Sequence, residues 1–194
     1  MDLSFQGLLA LARETLQNPR GVARIVMNAN LPMPARWVAL GLMVVGSALL
    51  AHLSFLVMPA DAQAVLAEGM SSPFTTAVLQ GVVMVMAVAA IFFLGRVMGG
   101  VGSFSDALIL VVWVQFILLI LQAAQIVAQV LIPPAAIVVS YASIGIFLYL
   151  LSHFVAELHG FPSVLKTFGG ILLALLAIGF ALALILMPMM GTGF

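Results

Sequence analysis

Polar residues along this chain are confined to short intervals between five long apolar runs. The runs are Trp37 to Met58, Phe74 to Leu94, Ala107 to Ile132, Ala135 to Ala156 and Thr167 to Met187, and none contains Lys, Arg, Asp or Glu. About 20 apolar residues are needed to cross the hydrocarbon core of a bilayer, and each run meets that length. Backbone groups in lipid must be satisfied within their own segment, so each run is predicted to be a helix. A β-barrel would instead alternate apolar and polar positions over short strands. The predicted fold class is an all-α integral membrane protein, with five transmembrane helices and a short amphipathic N-terminal helical segment.

The intervals carry helix punctuation. Ser72-Pro73 offers a capping hydroxyl before a proline at the first helical position. Ser103, with Asp106 three residues on, reads as a capping box opening the third span. Pro133-Pro134 is expected to end the third span and force a tight reversal. Pro162-Ser163 restarts the chain before the fifth span, and Pro188 is expected to close it. The interval around Asp61 to Glu68 is read as a loop.

The first 35 residues differ in pattern. Leu3, Leu8, Leu11, Ala12 and Leu16 recur at near-helical spacing, with Arg13, Glu14 and Gln17 between them. That pattern predicts a short amphipathic helix at the membrane interface. Asn18-Pro19 predicts a cap and first position for a second short helix, Arg20 to Met27. Leu31-Pro32-Met33-Pro34 reads as an extended lead into the first span. The expected division is therefore an N-terminal segment 1–35, a five-helix domain 36–188 and a short tail 189–194. No internal repeat is evident, and an odd span count does not suggest paired inverted repeats.

Charge adds an orientation. Arg13, Arg20, Arg24, Arg36, Arg96 and Lys166 all fall in alternate intervals, while the Asp61–Glu68 and Pro133–Pro134 intervals hold no basic residue. By the positive-inside rule, the N-terminus and the intervals with Arg96 and Lys166 face the cytoplasm, and the C-terminus faces the other side. Composition agrees with lipid as the solvent: 65% of residues are hydrophobic and 6% charged. A typical soluble domain is about 25% charged. A formal net charge of +0 argues against a nucleic-acid partner. There are no cysteines, so disulfides, thiolate catalysis and cysteine metal sites are excluded. The opening residues lack the apolar core and small-residue cleavage site of a signal peptide.

Two segments carry a family resemblance. One is Gly99-Gly100-Val101-Gly102-Ser103-Phe104-Ser105-Asp106-Ala107-Leu108; the other is Glu157-Leu158-His159-Gly160-Phe161-Pro162. With five spans and a cytoplasmic N-terminus, they resemble the bacterial branch of the Yip (Ypt/Rab-interacting protein) family, over roughly Asn18 to Met187. The resemblance implies a multi-pass protein of a bacterial inner membrane. Eukaryotic members are linked to Rab GTPases and vesicle traffic and carry a long soluble N-terminal region, where this chain has a short one.

The candidate contact residues for a partner or for lipid are Arg96, Gly99, Gly100, Gly102, Ser103, Asp106, Glu157 and His159. The glycines could cradle an anion at a helix N-terminus, with Arg96 adding charge. The reading preferred over that one is a tight interhelical turn. No Gly-Lys-Ser/Thr follows, so the loop is not a Walker motif. A second candidate set lies within the spans: His52, Gln115, Gln122, Gln125 and Gln129. The four glutamines share one broad helical face. They could line a polar path for a solute, or bond between helices, and His52 could bond one of them or relay a proton. His153, Glu157 and His159 have enough donors for zinc but no known metal spacing. An ion pair of Glu157 with Arg96 or Lys166 is the alternative, and His159 is expected past the helix end. No catalytic, cofactor or metal site is expected. The expected function is a non-enzymatic scaffold or accessory factor for membrane organisation or a membrane-protein partner. The alternative is a small transporter or channel component. Expected partners are membrane lipids and either a membrane protein or a second copy.

Overall fold

The computed structural model describes residues 4–67, 69–70 and 72–190, leaving aside the side chains of 5, 181, 182 and 185–190. The described residues form eight helices and no strand: α1 Phe5–Gln17, α2 Pro19–Met27, α3 Met33–Leu56, α4 Ala60–Leu66, α5 Pro73–Val97, α6 Phe104–Leu131, α7 Pro133–His159 and α8 Val164–Met190. Four of them, α3, α5, α6 and α7, are long and apolar enough to cross a membrane. The fifth expected span lies within α8, which is apolar over Val164–Phe180. The protein is thus an all-α membrane protein. Residues 191–194 and Glu68, expected on the far side, lie outside the described residues.

Proline positions explain where the helices begin. A proline in the first turn loses no hydrogen bond, because those N–H groups have no helical partner. Hence α3 starts at Met33 with Pro34 inside its first turn, rather than after an extended lead through both prolines. Only Pro32 stays extended, at φ −63° and ψ 151°. Pro133 and Pro134 likewise open α7 instead of closing α6, and Ile132 alone links the two helices. Ser72 caps α5 by its carbonyl, which accepts from Thr76 N–H, and its hydroxyl makes no capping bond. Helix α8 continues to Met190, past Pro188; membrane helices tolerate such prolines when neighbouring groups satisfy the freed carbonyl. The Asp61–Glu68 interval is not wholly a loop, since Ala60–Leu66 forms α4 with Asp61 in its favourable first turn.

The core lies at the end of the bundle that carries the basic residues. Helix α6 is central, and its first half is the most buried stretch of the chain: Ala107 to Leu110, Val112 to Val114 and Ile117. Leu150 and Phe154 of α7 pack into the same core. Helices α1 and α2 complete it. Val22, Ala23 and Val26 of α2 are buried against it, as is Ala12 of α1. The N-terminal helices therefore dock on the bundle through their apolar face, and only their outer face remains for an interface. A buried Trp113 Nε1–H donates to Thr15 Oγ1 over 3.0 Å and locks α1 onto α6. Outside this core, long apolar side chains face outward along every span, as expected where lipid is the solvent.

Candidate functional site at the basic end

The glycine-rich segment and the His159 segment, 57 residues apart, form one structure. Helix α5 ends in a reversed turn: Gly100 N–H bonds Gly95 O, and Gly99 N–H bonds Arg96 O. Gly99 adopts φ +88°, a conformation side chains disfavour. The chain then runs past the end of α7. A Cβ at Gly95, Gly100 or Gly102 would overlap the His159 ring. These three glycines are a socket for one imidazole. His159 is 2% exposed. Gly102 N–H donates to its Nδ1 over 3.3 Å, so the ring proton sits on Nε2, which donates to Ile91 O over 3.0 Å. Phe161 stacks on the ring at 5.5 Å. His159 is thus the last residue of α7 and does not lie beyond it; Gly160, at φ +71°, makes the left-handed cap.

The capping box beside the socket has a different closure from the expected one. Ser103 Oγ accepts from Asp106 N–H at 3.1 Å and donates to Asp106 Oδ2 at 2.6 Å. The other carboxylate oxygen accepts from Arg36 Nη1 at 3.2 Å. Arg36 also donates to Leu31 O at 2.9 Å and to Ser105 O. It is 7% exposed, so the pair fastens the start of α3 to the start of α6.

Glu157 pairs with neither Arg96 nor Lys166. Its carboxylate takes Arg24 Nη1 at 3.0 Å and lies 3.7 Å from Arg20 Nε. Arg20 also donates to Phe161 O at 2.8 Å. The docking of α2 on α7 brings these groups together, because its buried face leaves Arg20 and Arg24 at the rim. Arg20, Arg24 and Arg36 are the residues that inspection of the sequence missed. Their spacing was visible, but their partner lay more than a hundred residues away for two of them. Arg96 remains exposed, its guanidinium 5.9 Å from the Phe92 ring centroid. Gly99, Val101 and Ser103 are exposed beside it, so the loop has an outer face.

The second candidate set divides. Gln115 Nε2 donates to Ser47 Oγ at 2.6 Å, and Gln129 Oε1 accepts from Ser54 at 3.3 Å. Both tie α6 to α3. Gln122 and Gln125 are half-buried, and no hydrogen bond of theirs is found among the described residues. His52 meets no glutamine. Its Nδ1 donates to Ala48 O of its own helix at 3.1 Å, and Nε2 is buried without a partner. Bonding to the carbonyl one turn back satisfies one ring nitrogen within the helix itself. His153 donates to Tyr149 O at 2.8 Å and packs on its ring at 4.4 Å. The three residues His153, Glu157 and His159 therefore have separate partners, and they form no group able to hold a metal among the described residues.

Apolar helices facing outward, around a core at one charged end, define a multi-pass all-α membrane protein. The chain belongs to the Yip1 domain family, whose description matches residues 13–186. That span takes in both signature segments. No curated protein and no solved structure was found to match.

Proposed function

We propose that this chain is a non-enzymatic scaffold or accessory factor of a bacterial inner membrane, with its basic end and N-terminus in the cytoplasm. It would organise the membrane or hold a membrane-protein partner through that end. The single observation behind this reading is the way polar groups at the basic end are used. Glu157, Asp106 and His159 are engaged by Arg20, Arg24, Arg36 and the glycine socket. Among the described residues, these three groups brace a platform rather than form an acid–base pair at a cleft. The platform presents Arg96, Gly99, Val101 and Ser103 outward, and these are the proposed contact residues. Gly100, Gly102, Asp106, Glu157 and His159 would hold that face in shape. The glutamines of α6 would act as bonds between helices, given the Ser47 and Ser54 contacts.

The test is purification of the tagged chain from its own host in several mild detergents, with mass spectrometry of what accompanies it. A stoichiometric companion lost from the Arg96→Glu, Val101→Asp double variant supports the reading. A chain that emerges alone in every detergent removes the partner-holding role.

A further inference from the structure

Helix α1 has three faces, and its depth in the bundle gives each a different surrounding. Ala12 and Thr15, three residues apart, are buried against the bundle, and Leu8 and Leu11 pack beside them. Gln6, Arg13 and Gln17, seven and four residues apart in turn, form an exposed polar face. Leu9 and Leu16 lie between the two, three or four residues from both Ala12 and Arg13, and are 38% and 43% exposed. Docking on the bundle leaves this leucine edge uncovered. The spans set the level at which it sits. Asp106 is the last charged residue before the apolar run of α6 and marks the headgroup boundary on that helix. Trp113 lies seven residues further in, roughly 10 Å at about 1.5 Å per residue, and its Nε1–H holds Thr15 Oγ1 over 3.0 Å. Arg20 and Arg24 of α2 pair with Glu157 at the corresponding end of α7. Helix α1 is thus fixed below the charged boundary, at the depth of about 5–10 Å to which interfacial helices sink. At the opposite end, among the described residues, only the seven-residue α4 lies between spans, and none of its residues is buried.

We infer that α1 is a wedge in one leaflet. Its Leu9–Leu16 edge inserts among the acyl chains on the basic side, and the protein thereby favours membrane that is convex on that side. Arg13 is exposed and makes no ion pair among the described residues, so it is free to meet the phosphates above that edge. Mass added to one leaflet alone expands that leaflet, and convex curvature relieves the mismatch, which is why insertion of such helices is curvature-sensitive. A free amphipathic helix exchanges with water. Here the Trp113 bond and the burial of Ala12 and Thr15 hold the helix in place, so the asymmetry travels with the spans. The inference deepens the membrane-organising part of the reading above and rests on it for its biological meaning, but it needs no protein partner.

The experiment uses the full chain in giant vesicles from which narrow membrane tethers are pulled, since the outer leaflet of a tether is convex. An impermeant fluorescent maleimide on Val101→Cys marks only copies with the basic end outward, and on Asp61→Cys only the inverted copies. Copies labelled at 101 should be enriched in the tether about twofold over a freely diffusing lipid dye, and copies labelled at 61 depleted by a comparable factor. Leu9→Gln with Leu16→Gln should abolish the enrichment, while Leu9→Met with Leu16→Met keeps it. A nitroxide on Leu16→Cys should be relaxed by oxygen and shielded from a water-soluble nickel chelate, and one on Gln17→Cys the reverse. Size-exclusion profiles check folding, and if the glutamine double variant does not fold, the nitroxide depths decide together with the sorting of the two orientations. Equal sorting of both orientations, enrichment unchanged in the folded glutamine variant, or nickel access at position 16 would overturn the inference. Any of these leaves the partner-holding role standing, and a chain that purifies alone leaves the wedge standing.

Discussion

At the residue scale, His159 shows how a titratable side chain can serve packing. Both ring nitrogens have partners inside the protein, and three glycines make room for the ring. Close-packed interiors do not absorb an extra methyl without displacing a neighbour, at a cost of typically about 1–3 kcal/mol. Gly95→Ala should therefore lower stability by about that amount, as read from thermal unfolding in detergent. The double variant with His159→Ala should recover part of the loss, because removing the ring vacates the space that the methyl needs. Strictly additive effects would mean that the glycine and the histidine do not share this socket. Gly100 and Gly102 were visible in the sequence as part of a tight turn, but Gly95 and the ring that the three enclose were not.

Among the elements, α2 has the most dependent position. It is nine residues long, too short to hold helical structure alone in water. It is kept in place by apolar burial of Val22, Ala23 and Val26 and by the two arginines on Glu157. Arg24 is largely exposed, so its pair contributes modestly, at most about 1 kcal/mol. Glu157→Gln should thus raise hydrogen exchange across Pro19–Met27 by about tenfold or less, with α6 unchanged. Unaltered exchange in α2 would place its docking entirely on the apolar contacts. The N-terminal helices were legible as amphipathic, with α2 expected at Arg20 to Met27 and found at Pro19–Met27. Their docking surface was not legible, because an apolar face can bury against lipid or protein with the same periodicity.

For the whole molecule, the helix order puts all six basic residues at one end, at helix starts and ends or on the docked N-terminal pair. The absence of cysteine makes the proposed orientation directly testable. Single variants Val101→Cys and Asp61→Cys place thiols at opposite ends, both at exposed positions. A membrane-impermeant maleimide should label Asp61→Cys in intact cells with an opened outer membrane and reach Val101→Cys only after lysis. The reverse pattern would invert the proposed topology and remove the cytoplasmic reading of the platform.

Continuous apolar runs determine helices in lipid without reference to any neighbour, because every backbone group must bond within its own segment. That is why the spans, their approximate ends and the sidedness of charge could be read from residue order alone. Helix starts were misjudged where prolines occupied first turns, as at Pro34 and Pro133, and α4 at Ala60–Leu66 was read as loop. Pairing was a different matter. Glu157 was expected to pair with Arg96 or Lys166, and His52 with one of four glutamines, and nothing in their spacing pointed to the partners found. The choice was made by the packing of α2 on α7 and of α3 on α6, since ion pairs and hydrogen bonds form only between groups that burial has already brought within about 3 Å.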